Sequence, residues 1–251
     1  MVFAVLAALY GATAVIIVWV CYGRPLAPAV KRLDGVVAPF FGAVGILFAL
    51  MAGFLASDIA DRNRQATRAV QTEVAELRNV FTLSVASKPD MAAIRAAWAD
   101  YVKAVAGDEW HAMTWGDSAP SVDRAFDALL REVSDPGIAK DAGNAVHTAL
   151  LNAAVRVSTA RSERLALASD STSELKWSMV LILGFMTQVA IGAVHLHRRN
   201  AQITALAVFS VATVVALGLI ALQEHPFAGQ VRIAPAPFLE LLKLQGPNAA
   251  S

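Results

Sequence analysis

The five histidines, His111, His147, His195, His197 and His225, are the first candidates for a metal site or an acid–base pair. Two histidines on one helix share a metal when they stand at i and i+4, on one face. His195 and His197 are two residues apart and point to different sides. His111 and His147 belong to different segments, beside Glu109 and Asn144, so a two-histidine site between them stays open next to the plainer reading of surface histidines. Cys21 is the one cysteine, which excludes an intramolecular disulfide and a cysteine zinc site. No glycine-rich phosphate loop, nucleophile elbow or H-E-x-x-H pair occurs. The expectation is a protein that is not an enzyme and that carries neither cofactor nor metal.

The charged residues suggest little more. Arg156, Arg161 and Arg164, with Glu163 among them, read as an exposed, solvated helix face. Asp58 and Arg62, four apart, read as a local ion pair of roughly 0.2–0.5 kcal/mol. Just before them lie two apolar rows. Gly42, Gly45, Ala49, Ala52 and Ala56 alternate at three and four, a stripe of small residues that lets helices approach closely in lipid. Ile46, Leu50 and Phe54 recur at four, a bulky row that either faces lipid or, with several copies around an axis, forms an apolar constriction that gates by dewetting. In the second case Asp58, Arg62 and Arg64 stand at the entrance, where Arg62, Arg64 and Arg68 enrich anions and Asp58 and Asp61 oppose them.

The elements that must position these residues follow from composition. The chain is 57% hydrophobic and 16% charged with a net charge of +1, and its mean hydropathy is +0.53. Such a chain needs a lipid bilayer, and the small net charge gives nucleic acid no basic track. Four segments, 2–22, 36–57, 177–196 and 201–222, lack Asp, Glu, Lys and Arg. Each is close to the roughly 20 residues that cross hydrocarbon as a helix. The first begins at Met1 without a basic stretch and reads as a retained span.

The spans read as two hairpins around a polar insert. The helical period of the second span continues through Asp61 and Arg62 into Val70, Val74, Leu77 and Phe81, so one long helix leaves the membrane. Lys88-Pro89-Asp90 ends it, with Asp90 as N-cap of a helix carrying Ile94, Trp98, Tyr101, Val102 and Val105. A loop at 116–120 precedes a helix with Val122, Phe126, Leu129, Leu130 and Val133. After a turn at Asp135-Pro136-Gly137, a last helix from about Ala139 carries Val146, Leu150, Ala154 and Val157. The expected fold is therefore an all-α integral membrane protein, four transmembrane helices in two hairpins with a helical bundle between the second and third. Its divisions are 1–57, 58–176, 177–222 and a tail at 223–251. The distribution of Lys and Arg does not decide the orientation.

After the fourth span, Pro226 is expected to end the helix near Glu224 or His225, Ala228-Gly229 to make a tight turn, and Val231 and Ile233 to form a short extended piece. Pro235 and Pro237 are expected to keep the following chain extended, leaving Phe238, Leu241 and Leu242 to dock on the bundle or on a neighbouring subunit.

Three separated motifs occur in order: 54–62 leading to Glu73-Val74-Ala75-Glu76-Leu77, then Asp108-Glu109-Trp110-His111-Ala112-Met113, then His225-Pro226-Phe227-Ala228-Gly229 with 231–238. With them the chain resembles the bacterial bestrophin-like family of unknown function and, more distantly, the bestrophin anion channels. That resemblance implies a homopentamer in the bacterial inner membrane, with the helical domain and both termini cytoplasmic. It makes Ile46, Leu50 and Phe54 the neck of an anion pore. His225, Pro226, Phe227, Gly229, Arg232, Pro235 and Phe238 are expected to clamp the membrane hairpins to the helical domain, and the resemblance implies that this segment also contacts a neighbouring subunit. Animal bestrophins carry acidic calcium ligands after this turn; here Gln230, Val231, Arg232 and Ile233 follow, so calcium gating is not implied. The alternative is a membrane-anchored sensor or scaffold whose helical domain binds a ligand or partner.

Overall fold

A computed structural model describes residues 1–23, 38–87, 89–170 and 172–245, which contain helices, turns and loops and no strand. The helices are α1 (Val2–Tyr22), α2 (Ala38–Ala86), α3 (Ala92–Ala104), α4 (Pro120–Val133), α5 (Pro136–Ala142), α6 (Asn144–Ser169), α7 (Glu174–Val194), α8 (Arg199–Ala221) and α9 (Ala236–Leu242). Helix α3 continues through a π turn at Val105–Glu109 into short turns at Trp110–Ala112 and Met113–Trp115. Residues 24–37, where most of the loop expected to join the first two spans falls, lie outside the described residues.

Two compact units divide the chain, the first holding Met1–Asp61 and Thr172–Glu224, the second Arg62–Ser171 and His225–Ser251. In the first, α1, α7, α8 and the beginning of α2 are each long and apolar enough to cross a membrane. Helix α1 lies along α8, and both contact α7. Three glycines set their separation. A Cβ at Gly184 would strike the Tyr10 ring, one at Gly192 would strike Ile17, and one at Gly218 would strike Phe3. In lipid, where packing replaces the hydrophobic effect between helices, such close approach is a principal source of cohesion. Gln188 adds polar links: its amide nitrogen donates to the Tyr10 carbonyl at 3.0 Å and to Ser210 Oγ at 2.8 Å. The Thr13 hydroxyl donates to its oxygen at 2.5 Å. Gln202, also fully buried, donates to the Gly192 carbonyl at 2.6 Å.

The second unit is a helical bundle whose core holds the expected faces of α3, α4 and α6, including Trp98, Tyr101, Val122, Leu129, Leu150 and Val157. Trp98 donates its indole N–H to the Leu77 carbonyl at 2.8 Å and packs on Phe81 at 4.9 Å, joining α3 to α2.

Four expectations are corrected. Met91, not Asp90, is the N-cap of α3, and the Asp90 carboxylate pairs with Arg95 at 2.5 Å. The turn at 135–137 opens α5: Asp135 caps it by accepting from Gly137 N at 2.8 Å, and Pro136 fits the first turn, where a missing N–H costs nothing. The last helix therefore starts at Asn144, not near Ala139, after Gly143, whose φ of +93° a side chain would strain. Finally, Pro235 and Pro237 do not keep the chain extended. Pro235 is the N-cap and Pro237 lies in the first turn of α9, for the same reason as Pro136. Helix α8 ends at Ala221, and hydrogen-bonded turns carry the chain on to Glu224, near the expected end.

Candidate functional site

Along the first part of α2, Ile46, Leu50 and Phe54 project from one face and are 70%, 48% and 59% exposed within the chain. The other face packs inward. Leu55 and Ile59 are buried, and the Phe48 ring lies 5.6 Å from Phe209 on α8. Of the small residues, Gly45 approaches Thr187 on α7, whose methyl lies 4.0 Å from where a Cβ would sit. Gly42 faces open space. Ala49 is exposed, and Ala52 packs against the core of the first unit.

The residues expected at the entrance have separate partners. Lys176 donates to Asp58 at 2.8 Å, where a cavity of about 410 Å³ is lined by Phe54, Asp61 and Met179 as well. Arg62 lies 3.6 Å from Asp170, and Arg64 is exposed. No group of three or more potential metal ligands occurs among the described residues. His195 Nδ1 lies 2.9 Å from the Ile191 carbonyl, a local bond of its own helix turn.

In the second unit the segment after Glu224 folds on its own chain's bundle. The Ile233 N–H donates to the Pro226 carbonyl at 2.8 Å, closing a loop that turns at Gly229, φ +86°. Phe227 and Phe238 are buried against Trp110, each with ring centroids 5.6 Å away, and the Trp110 indole donates to the Ile233 carbonyl at 3.2 Å. His225 and Arg232 remain exposed.

Beneath this aromatic cover lies a cluster of charges. Arg164 is fully buried. It donates from Nε to Glu73 Oε2 at 2.7 Å, from Nη2 to Glu73 Oε1 at 3.1 Å and to Glu109 Oε2 at 2.7 Å. Its Nη1 reaches the Met113 sulfur at 3.0 Å, and its guanidinium carbon lies 5.5 Å from the Trp110 ring centre and 5.6 Å from that of Phe238. Arg161 holds the other side of Glu109 at 2.5 Å and reaches Asp123 at 2.7 Å. The Tyr101 hydroxyl donates to Glu73 at 2.7 Å. Burial opposes the charge on Arg164, but the adjoining carboxylates, Glu73 foremost, more than offset it, so the guanidinium holds its proton more tightly than an ordinary arginine. Burial and the Glu73 charge push the Tyr101 hydroxyl well above its usual 10.0.

The expectation of a solvated arginine face on α6 is thus half wrong. Arg156 and Glu163 are exposed, whereas Arg161 and Arg164 are buried. Their spacing carried the signal. Leu150, Ala154, Val157, Arg161 and Arg164 step by four and three, so both arginines continue the apolar stripe. Ala66, Val70, Glu73, Leu77 and Val80 do the same on α2. Charges in the phase of a buried face, in opposite signs on two helices, mark an internal ion cluster. All three motifs of the sequence meet there: Glu73 from the first, Glu109, Trp110 and Met113 from the second, Phe227 and Phe238 from the third. The π turn at Val105–Glu109 adds one residue to a helical turn and sets the phase of Glu109 and Trp110.

A family model described as the bestrophin-like domain matches residues 8–238. Among curated proteins no sequence match was found. Among solved structures, two variants of a bacterial bestrophin homologue from Klebsiella pneumoniae superpose with TM-scores of 0.75 and 0.76. They are 13% and 14% identical over 98% and 97% of this chain, and 100% and 98% of theirs. At that identity the likeness is one of fold.

Proposed function

The chain belongs to the bestrophin-like family, and from that premise we propose that it is a homopentameric membrane channel passing small anions such as chloride. In this reading 1–57 and 177–222 are the two transmembrane hairpins, 58–176 is the aqueous helical domain, and 223–251 is the clamp and tail. The channel sits in the bacterial inner membrane with the helical domain and both termini in the cytoplasm. Helix α2 lines the pore, and Ile46, Leu50 and Phe54 form its neck.

One observation supports the reading most. The second span is 11% buried inside its own chain, the least of the four, and Ile46, Leu50 and Phe54 are among the residues it leaves uncovered. Five copies of such a row around an axis would make a narrow apolar ring that excludes water when closed. Beyond it, Lys176 pairs with Asp58, which lessens the negative charge at the entrance. The clamp acts within the chain through Phe227 and Phe238. Arg232 and Val231, exposed on the same segment, are the residues offered to a neighbour.

Planar-bilayer recording of the purified protein tests the channel. The expected result is chloride current that rises in a Phe54→Ala variant, because shortening the ring widens and wets the neck. A silent protein, or a current indifferent to Phe54→Ala, would overturn it. A monomer or dimer in mild detergent would favour the sensor or scaffold instead.

A further inference from the structure

An apolar groove of about 530 Å³ runs between α1 and α8. Ala7, Gly11 and Ala14 open it on the α1 side, and Val211 and Val215 line it on the α8 side. At one end it is lined by Val18 and Ile203. One helical turn further, at i+4 from Val18 and i−4 from Ile203, stand Tyr22 and Arg199, on the same faces of their helices. The Arg199 guanidinium carbon lies 6.0 Å from the Tyr22 ring centroid. Arg198 precedes it, both arginines are exposed, and no carboxylate among the described residues pairs with either.

We propose that this groove and its arginines are a binding site for an anionic phospholipid. One acyl chain lies in the groove, and the phosphate sits on Arg199 and Arg198 beside the Tyr22 ring. The groove has the chemistry of a chain: its lining is almost wholly apolar, and a packed helix, 10–12 Å across, would lie over it instead of entering. The end has the chemistry of a headgroup. A guanidinium matches the fork of phosphate oxygens, and a tyrosine at that depth belongs to the headgroup region. Each basic residue near the bilayer surface favours an anionic lipid by about fivefold. The site therefore joins two demands, an apolar slot and, in line with it, two arginines that pair with no carboxylate among the described residues, that one amphiphile satisfies together. The proposal rests on the membrane reading above and is independent of conduction.

Native mass spectrometry of the purified protein in mild detergent tests it, with phosphatidylglycerol and phosphatidylcholine of identical chains as probes. The wild type should retain phosphatidylglycerol in preference by more than tenfold. A double Arg198→Gln, Arg199→Gln variant should fall to the phosphatidylcholine level. Gly11→Leu should lower retention of both lipids alike, since the leucine fills the slot, and the fold should tolerate it because a Cβ there meets nothing within 4 Å. Equal retention of the two lipids by the wild type, an unchanged preference in the double variant, or unchanged retention in Gly11→Leu would overturn the assignment. Lipid retention is read without current, so it can fail while the channel conducts, and hold while the channel is silent.

Discussion

Replacing Arg164 by methionine should be the most destabilising single change in the helical bundle, and the contacts set its size. The side chain is fully buried and gives three hydrogen bonds to two carboxylates. After Arg164→Met, Glu109 still has Arg161, at 2.5 Å. Glu73 keeps only the Tyr101 hydroxyl, at 2.7 Å, and becomes a buried carboxylate without a counter-charge. Removing one partner of such a pair costs about 3–5 kcal/mol. For a chain of this length that lowers the melting temperature by roughly 6–20 °C. Two further variants separate charge from packing. Arg156→Met breaks a pair with Glu76 whose arginine is 68% exposed, and should cost less than about 1 kcal/mol. Adding Glu73→Gln to Arg164→Met removes the orphan charge and should recover much of the loss. The measurement is tryptophan-fluorescence melting in detergent at a fixed scan rate, which Trp110, in contact with the cluster, reports directly. A loss from Arg164→Met no greater than that from Arg156→Met, or a double variant no more stable than the single, would refute the argument.

Two further outcomes follow from the same reasoning. The folded state holds the Tyr101 proton more tightly than the unfolded chain does. The stability this contributes is complete below the ordinary value of 10.0 and is lost as pH rises through the higher folded value. Tyr101→Phe should cost about 1.5–3 kcal/mol at neutral pH, by loss of a charged hydrogen bond, and should flatten the alkaline fall in melting temperature; a fall of unchanged steepness would contradict it. In the membrane unit, Gly184→Ala should cost about 1–3 kcal/mol by forcing a methyl against Tyr10. Tyr10→Phe in the same chain should return part of it, since it removes a hydroxyl that is buried and unpartnered; no recovery on melting would place the strain elsewhere.

Hydropathy revealed the four spans because lipid requires long uncharged runs, and α1 begins and ends at the expected residues. Period revealed α2 as one helix of 49 residues because its apolar phase does not break at the last uncharged turn. The errors share a cause. Arg161, Arg164, Glu73 and Glu109 were read by residue type, whereas their positions on the helices were those of core residues, and a buried charge becomes legible only when a matching charge on another helix is sought. The close contacts at Gly184, Gly192 and Gly218 were missed for a different reason. A glycine in an apolar run carries no sign of what lies opposite it, and the small stripe that did stand out, on α2, packs less tightly. The proline segment was misjudged because proline forbids the interior of a helix but suits its first turn, and sequence alone does not say where a helix begins.

The π turn at Val105–Glu109 has a consequence for how this stretch can vary over generations. Every residue after it is rotated by the one extra position, about 100° in a regular helix. Deleting any single residue there, even Gly107, which touches nothing where its Cβ would be, would swing Glu109 and Trp110 off Arg164 together. Substitutions at exposed positions of the turn should be tolerated, and a change in its length should not. In this part of the chain, the ion cluster should depend more strictly on the number of residues than on the kind of the exposed ones.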